Sequence, residues 1–290
     1  MPSFDILLAG IVNGLAAGAV YVLVAVGLTL IYGVLHIVNF AHGSLLMLAM
    51  YATYFLFAKA GVDPYAALPV VAGGAFALGY VLYRGVVGRF AHGKDENILL
   101  ITLGLSIVID NLALFLFTGD TQTIDVAHAQ RMVEFGPLFL PRAKVIAFAA
   151  ALAICAALGL WMARSDTGKA IRAVAKERLG ATLMGIDVAH VYAITFGLGC
   201  ACLAVAAALL MPSFYVNPRV GNAFVLVAFT IVVLGGMGSI AGALIGGLFI
   251  GMVESVSGLL LGESLGQIGI FLIFILVLLL RPTGLFGAKA

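Results

Sequence analysis

Long, continuous runs of apolar residues recur along the whole of this 290-residue chain. A helix needs roughly 20 apolar residues to cross about 30 Å of hydrocarbon. Runs near that length predict membrane-spanning helices over residues 6–32, 43–57, 66–83, 98–117, 144–162, 191–211, 223–237, 240–261 and 267–280. The runs do not alternate with polar residues, which excludes membrane β-strands. The pattern predicts an all-α polytopic membrane protein, with residues 1–290 forming a single transmembrane domain.

The composition agrees with a chain that lives in a lipid bilayer. Apolar residues make up 63% of the sequence and charged residues only 10%, whereas a soluble domain carries about 25% charged residues. No polar block is long enough to bury a core of its own. The formal charge of +2 comes without a basic run, so a nucleic acid is not a predicted partner.

Lysine and arginine collect in three segments, which predicts the orientation of the chain. Residues 84–97, residues 163–190 and the tail from Arg281 together contain most of the basic residues. These segments, including the C-terminus, are predicted to be cytoplasmic, and the more acidic segment 118–142 is predicted to be outside. The first 58 residues leave two alternatives: two crossings give nine spans with the N-terminus outside, and one crossing plus a re-entrant piece gives eight.

Polar side chains interrupt the apolar pattern between the first two runs. His36, Asn39, His42 and Ser44 lie in this stretch, residues 36–44, which we call the polar turn. In hydrocarbon each unpaired polar group costs several kcal/mol, roughly. The turn is therefore either a short polar connector or a break in a helix that lines a substrate path. The two histidines are six residues apart, whereas metal ligands on one helix lie three or four apart, so no metal site or cofactor is predicted.

Two acidic residues, Asp110 and Glu254, lie inside apolar runs. A charge at mid-bilayer costs on the order of 2.5–3.5 kcal/mol on insertion scales. Each carboxylate should therefore face the interior of the bundle or a helix end. The alternatives are a place on a transport path and a hydrogen bond between helices; the sequence pairs neither with a basic residue in a span.

Glycines repeat at four-residue spacing in the first and eighth runs. Such faces let two helix backbones approach closely, which is how helices associate in lipid. The predicted packing glycines are Gly10, Gly14, Gly18, Gly238, Gly242 and Gly246.

The segment 163–190, which we call the arm, is amphipathic. Asp166 is predicted to cap a helix in which Ile171, Val174, Ala175 and Leu179 form an apolar stripe. A helix of this kind either lies on the membrane surface or docks into a groove on a cytoplasmic partner. The chain has no GxSxG, HExxH or Walker motif. It is not predicted to be an enzyme, and any ATPase site would belong to another subunit.

Three stretches resemble the LivH-type permeases of bacterial branched-chain amino-acid ABC importers: NGLAAGAVYVLVAVGLTLIYGVLHIVNFAHGSLLMLAMY, IRAVAKERLGATLMGI and VVLGGMGSIAGALIGGLFIGMVES. The resemblance implies an inner-membrane subunit that works with a homologous second permease, two cytoplasmic ATPase subunits and a periplasmic substrate-binding protein. It implies that the NFAHG turn, Asn39 to Gly43, lies near the translocation path. It also implies that the arm contacts the ATPase, through Arg172, Ala175, Lys176, Glu177, Ala181, Met184, Gly185 and Ile186.

The resemblance leaves the substrate and one rival function open. Urea and short-chain amide permeases share the NFAHG-like turn and the GGMGS-like stretch, so the substrate is either a branched-chain amino acid or a small amide. A stand-alone secondary transporter would instead use a proton or sodium gradient through Asp110 or Glu254. A structural scaffold is disfavoured, because packing alone does not require buried polar clusters.

Overall fold

The computed structural model describes residues 4–90, 95–126, 129, 131–135, 138–262, 265–281 and 284–286. These residues form a helical bundle with a small antiparallel hairpin. The α-helices are α1 Phe4–Leu35, α2 His42–Ala60, α3 Pro64–Leu82, α4 Gly88–Phe90, α5 Asp95–Phe117, α6 Arg142–Arg164, α7 Asp166–Lys176, α8 Arg178–Leu183, α9 Val188–Leu210, α10 Val220–Gly235, α11 Ile240–Leu261 and α12 Gly266–Leu280. A π-helical turn, Tyr83–Val87, joins α3 to α4, and the strands are β1 Met132–Phe135 and β2 Leu138–Pro141.

Every predicted span falls on a helix, which confirms the all-α membrane architecture. Within the described ranges, seven helical stretches are long and apolar enough to cross a membrane: Ile6–Leu35, His42–Ala60, Pro64–Phe90, Asn97–Phe117, Arg142–Arg164, Val188–Leu210 and Ile240–Leu261. α10 and α12 are apolar but have only 16 and 15 residues. At 1.5 Å per residue they reach about 24 Å, less than a full hydrocarbon core.

The segment between α5 and α6 carries the strands. Met132 of β1 lies opposite Pro141 of β2 in an antiparallel pair. A single bridge also joins Gln122 to Val216, which follows α9. The two connections α5–α6 and α9–α10 therefore lie at the same end of the bundle.

α1 is the centre of the bundle. It packs against α11, α9, α6 and α10, and side chains such as Leu23 and Ile31 are completely buried. α9 forms the second central element because α2 and α3 pack against it. α5 is peripheral, since its main contact is with α2.

Glycines let α1 and α11 approach backbone to backbone. A Cβ at Gly14 would lie 2.6 Å from the carbonyl oxygen of Gly251, and one at Gly18 would lie 2.7 Å from that of Gly247. Gly10 is looser, with its nearest neighbour 3.5 Å from such a Cβ. Close approach of this kind is the main source of helix association in lipid.

The predicted glycine face of the eighth run needs a correction. Gly238 is not in α11: it lies two residues before the helix in the left-handed region, with φ +88°. Ser239 then caps α11, because its hydroxyl accepts a hydrogen bond from Gly242 N at 3.0 Å. Gly242 and Gly246 pack against α10 rather than α1. The four-residue spacing of these glycines predicts a helix that includes Gly238. The Ser239 cap instead starts α11 at Ile240, after Gly238.

Candidate functional site

The polar turn interrupts the helices beside the interior of α1. α1 ends at Leu35 and α2 begins at His42. The imidazole of His42 lies against Gly27 of α1, with Nε2 2.9 Å from the carbonyl oxygen of Val24. Since α1 runs on from Gly27 to Leu35, about 12 Å, α2 starts well inside the bundle. Irregular backbone at such depth is tolerated where protein or a water-filled path surrounds it.

Buried polar atoms at the turn are only partly satisfied. Asn39 and His42 are fully buried. The Asn39 side chain accepts a hydrogen bond from Ala41 N at 3.1 Å, which forms the turn. Within the described part of the chain, Asn39 Nδ2 and His42 Nδ1 have no hydrogen-bond partner. Such a group costs about 1–3 kcal/mol, so the turn carries polar groups that folding alone does not use.

α5 supplies the polar wall that faces the turn. The hydroxyls of Ser44 and Ser106 are 2.8 Å apart, and Phe40 N donates to Thr102 Oγ1 at 3.3 Å. Thr102 and Ser106 lie one turn apart on one face of α5, and Asp110, half-buried, follows on the next turn. The sequence shows this polar face but not its partner, because the pairing of α5 with α2 joins residues that are 62 positions apart.

His36 lies apart from the other three predicted residues of the turn. It is exposed and adopts a left-handed conformation with φ +56°. Its ring is 6.2 Å from that of Tyr32 on the preceding turn of α1. The structure therefore brings Asn39, His42 and Ser44 together and leaves His36 at the surface.

Glu254 lines a polar cavity at the other end of α1. The cavity has a volume of about 420 Å³, and Asn13, Lys144 and Ser255 also line it. Lys144 Nζ donates to Asn13 Oδ1 at 3.0 Å, and Ser255 Oγ donates to the carbonyl oxygen of Gly10 at 2.7 Å. The sequence alone does not indicate a basic residue near Glu254. The structure places Lys144 of α6 in the same cavity. Asp110, half-buried, lies on α5 and does not line this cavity.

The arm is a pair of short helices held against the ends of the long ones. Ile171 and Val174 of α7 are buried. The guanidinium of Arg172 donates to the carbonyl oxygens of Met162 and Ala163, the latter at 3.3 Å, which ties α7 to the end of α6. α7 also packs against α1 and α9. A movement of the arm would therefore reach the central helices directly.

Two details of the predicted arm are wrong. Ser165 caps α7, because its hydroxyl accepts from Gly168 N at 2.9 Å, and Asp166 is the first helical residue. Asp166 pairs instead with Lys169 at 2.8 Å, and this hydrogen-bonded ammonium lowers the pKa of the carboxyl. Leu179 is outside the apolar stripe, since Glu177 has an extended backbone that ends α7 and its carboxylate caps α8.

The second helix of the arm exposes a group of large apolar side chains. Leu179, Leu183 and Met184 are 69%, 79% and 83% exposed. Ala181 and Ile186 point inward, with Ala181 buried and Ile186 half-buried. We call the three exposed residues the apolar tip. Isolated exposed leucines are ordinary, but three on one short, well-capped segment indicate a contact surface.

A family model described as "Branched-chain amino acid transport system / permease component" matches residues 10–280. The chain belongs to this permease family. It is 34% identical over 304 residues to the high-affinity branched-chain amino acid transport system permease protein BraD of Pseudomonas aeruginosa, covering 99% of this chain and 98% of the relative. It is 35% identical over 291 residues to the permease protein LivH of the corresponding high-affinity system of Escherichia coli, covering 95% and 94%.

A more distant relative comes from an archaeon. The probable branched-chain amino acid transport permease protein LivH of Methanocaldococcus jannaschii is 29% identical over 283 residues, covering 92% of this chain and 88% of the relative. The predicted family is thus confirmed, and the chain is a multi-pass membrane transport protein. Among the residues that the structure describes, no group of three histidine, cysteine, aspartate or glutamate side chains is placed to hold a metal ion.

Proposed function

We propose that this permease is the membrane-spanning subunit of an ABC importer that carries branched-chain amino acids across the bacterial inner membrane. Two cytoplasmic ATPase subunits power it, a homologous second permease completes the pore, and a periplasmic binding protein delivers the substrate. The observation that carries the proposal is the match of nearly the whole chain to this permease family. One domain, residues 1–290, performs the membrane part of the cycle.

The arm is the proposed contact with the ATPase. Its apolar tip is exposed, while Ile171 and Val174 anchor it to the bundle. An amphipathic helix that presents apolar side chains to a groove is a common docking mode. Arg172, Ala175, Lys176, Glu177 and Gly185 flank this surface or hold its shape, and Ala181 and Ile186 support it from within.

The polar turn is the proposed part of the substrate path. The partnerless Nδ2 of Asn39 and the partnerless Nδ1 of His42 lie where α2 begins inside the bundle. Broken helices of this kind place polar groups and a helix terminus against a substrate in other transporters. Asp110 and the Glu254 cavity are the proposed outer portions of the path. Coupling free energy comes from nucleotide, so neither carboxylate is proposed to carry a driving ion.

Nine crossings are proposed, with the N-terminus outside and the C-terminus in the cytoplasm. Asn13 near the start of α1 contacts Lys144 at the start of α6, and α6 follows the segment proposed to be external. Gly33 near the end of α1 meets Gly238 at the opposite end. A reporter that is active only in the cytoplasm should therefore be inactive when fused to the N-terminus. Activity there would favour the eight-span alternative.

The substrate proposal is tested by radiolabelled uptake in cells that carry the complete set of subunits. Leucine, isoleucine and valine should accumulate and compete with one another, and urea should neither accumulate nor compete. The control is the same set of subunits without this permease. Uptake of urea in place of leucine would assign the chain to the amide branch of the superfamily.

Replacing Asn39 should impair transport without loss of assembly. Asn39→Leu removes both the oxygen that accepts from Ala41 N and the partnerless amide N–H groups. Loss of the hydrogen bonds that these N–H groups are proposed to make to the substrate, worth about 1–1.5 kcal/mol each, predicts an uptake rate about tenfold lower. Asn39→Ser keeps an oxygen that can form the turn and should remain impaired.

The matched control for Asn39 is Asn111→Leu. Asn111 is exposed on α5 and donates only to the carbonyl oxygen of Ile107, so this variant should transport normally. Full recovery of uptake in Asn39→Ser would return the polar turn to the role of a connector.

A further inference from the structure

A cavity of about 410 Å³ lies where α3 and the π-helical turn meet the start of α9. We call it the arginine pocket; it is lined mainly by Tyr83, Arg84, Arg89, Arg178, Asp187 and Tyr192. Its walls come from separate parts of the chain, because Arg178 belongs to α8 of the arm, Arg84 to the π-helical turn and Arg89 to α4. Neither the proposed substrate path nor the apolar tip includes it.

The π-helical turn explains how two of these arginines meet. In an α-helix with 3.6 residues per turn, side chains five apart point about 140° away from each other. A π-helix, whose hydrogen bonds join residues five apart, turns more slowly, so positions five apart fall on nearly the same face. Arg84 lies within the π-helical turn and Arg89 just after it, and both line the pocket. Short π-helical insertions of this kind are frequent at functional sites.

The pocket carries an excess of positive charge. Among the side chains that the structure describes, three guanidinium groups line it against one carboxylate, that of Asp187. Arg84 and Asp187 form an open pair at 3.8 Å, and Asp187 also accepts from His190 N as the cap of α9. Arg178 lies over the ring of Tyr192, 5.9 Å from its centroid, which orients its charge. Planar guanidinium groups in such an arrangement are suited to phosphate oxygens.

The surroundings of the pocket are those of a membrane interface. Val81, Val86 and Phe90 on the same stretch as Arg84 are exposed apolar residues, as expected for a surface that faces lipid. Tyrosines line the pocket, and tyrosine is enriched where helices leave the hydrocarbon. Basic pockets between helices at this level bind the headgroups of anionic lipids. A docked protein would instead be expected at the apolar tip, whose large apolar side chains are more than two-thirds exposed.

We infer that the arginine pocket binds the phosphodiester headgroup of an anionic phospholipid. The bound headgroup bridges Arg178 of the arm to Arg84 of the π-helical turn and Arg89 of α4. Lipid composition would thereby set how firmly the arm is held against the bundle. This inference does not depend on which substrate the permease carries.

The test measures lipid selectivity on the purified full-length chain. The chain is equilibrated with an equimolar mixture of dioleoylphosphatidylglycerol and dioleoylphosphatidylcholine in detergent, and bound lipids are counted by native mass spectrometry. R89Q/R178Q should lower the preference for phosphatidylglycerol by at least about fivefold, since each arginine near an anionic headgroup contributes about that factor. R89K/R178K, which keeps the charge, should retain a preference.

The matched control is R164Q/R281Q, which removes the same charge from two exposed arginines outside the pocket and should keep the wild-type preference. Thermal unfolding of all variants in detergent checks that they are folded. Equal losses in both double variants, or no loss in R89Q/R178Q, would overturn the inference. Displacement of the lipid by millimolar glycerol phosphate would assign the pocket to a soluble phosphate. If R89Q/R178Q kept the wild-type lipid preference but lost binding of the ATPase subunits, the pocket would be assigned to the protein partner.

Discussion

The variant L183D/M184D is expected to lose at least about 100-fold of its ATP-driven uptake while its membrane helices stay folded. Both side chains are about four-fifths exposed, so their replacement removes no internal packing. Burial of a leucine and a methionine against a partner is worth about 1.5–3 kcal/mol each, and two unpaired carboxylates would oppose that burial. The measurements are radiolabelled uptake and co-purification of the ATPase subunits.

The control for this variant exchanges the two residues, L183M/M184L. The exchange keeps apolar surface and volume, and such swaps are usually tolerated, so uptake and co-purification should remain. Glu177 is a poor site for this test, because its carboxylate accepts from Leu179 N at 3.2 Å and caps α8; its loss would disorder the arm itself. Undiminished uptake by L183D/M184D would show that the apolar tip does not dock.

Gly43→Ala is expected to destabilise the folded protein by about 3 kcal/mol or more. A Cβ at Gly43 would lie 2.3 Å from the carbonyl oxygen of Gly221, so α2 and α10 would have to separate. Forcing extra atoms into a close-packed contact typically costs 1–3 kcal/mol, roughly, and here the contact also holds the polar turn in place. Thermal unfolding and the yield of monodisperse protein in detergent measure the effect.

Gly74 and Gly104 provide matched controls for this substitution. Both lie inside helices, and a Cβ at either would meet nothing within 4 Å. Gly74→Ala and Gly104→Ala should therefore be neutral or stabilising by up to about 1 kcal/mol, the difference in helix propensity. Wild-type stability of Gly43→Ala would contradict the close contact between α2 and α10.

Local pattern is enough to predict the helices but not how they pair. Each apolar run became a helix because hydrocarbon leaves the backbone no other way to satisfy its hydrogen bonds over such lengths. Asp187 caps α9, with its carboxylate accepting from His190 N three residues later. A cap is a contact between near neighbours in the chain, which the sequence alone can specify.

The remaining features depend on contacts between distant residues. The hydrogen bond between Ser44 and Ser106 and the shared cavity of Lys144 and Glu254 each join separate helices, and no spacing rule identifies such pairs. The end of α7 was missed for a different reason. The apolar pattern continues through Leu179, but the carboxylate of Glu177 offers the backbone a cap that starts a new helix. Side-chain caps of this kind compete with a periodic pattern and can override it.

Uptake into proteoliposomes tests the central claim most directly. The permease pair is reconstituted with and without the ATPase subunits, with the loaded binding protein added outside and ATP inside. Leucine is expected to accumulate only when ATPase and ATP are both present, with proton and sodium gradients abolished by ionophores. Accumulation driven by either gradient in vesicles that lack the ATPase would contradict that expectation and identify a secondary transporter.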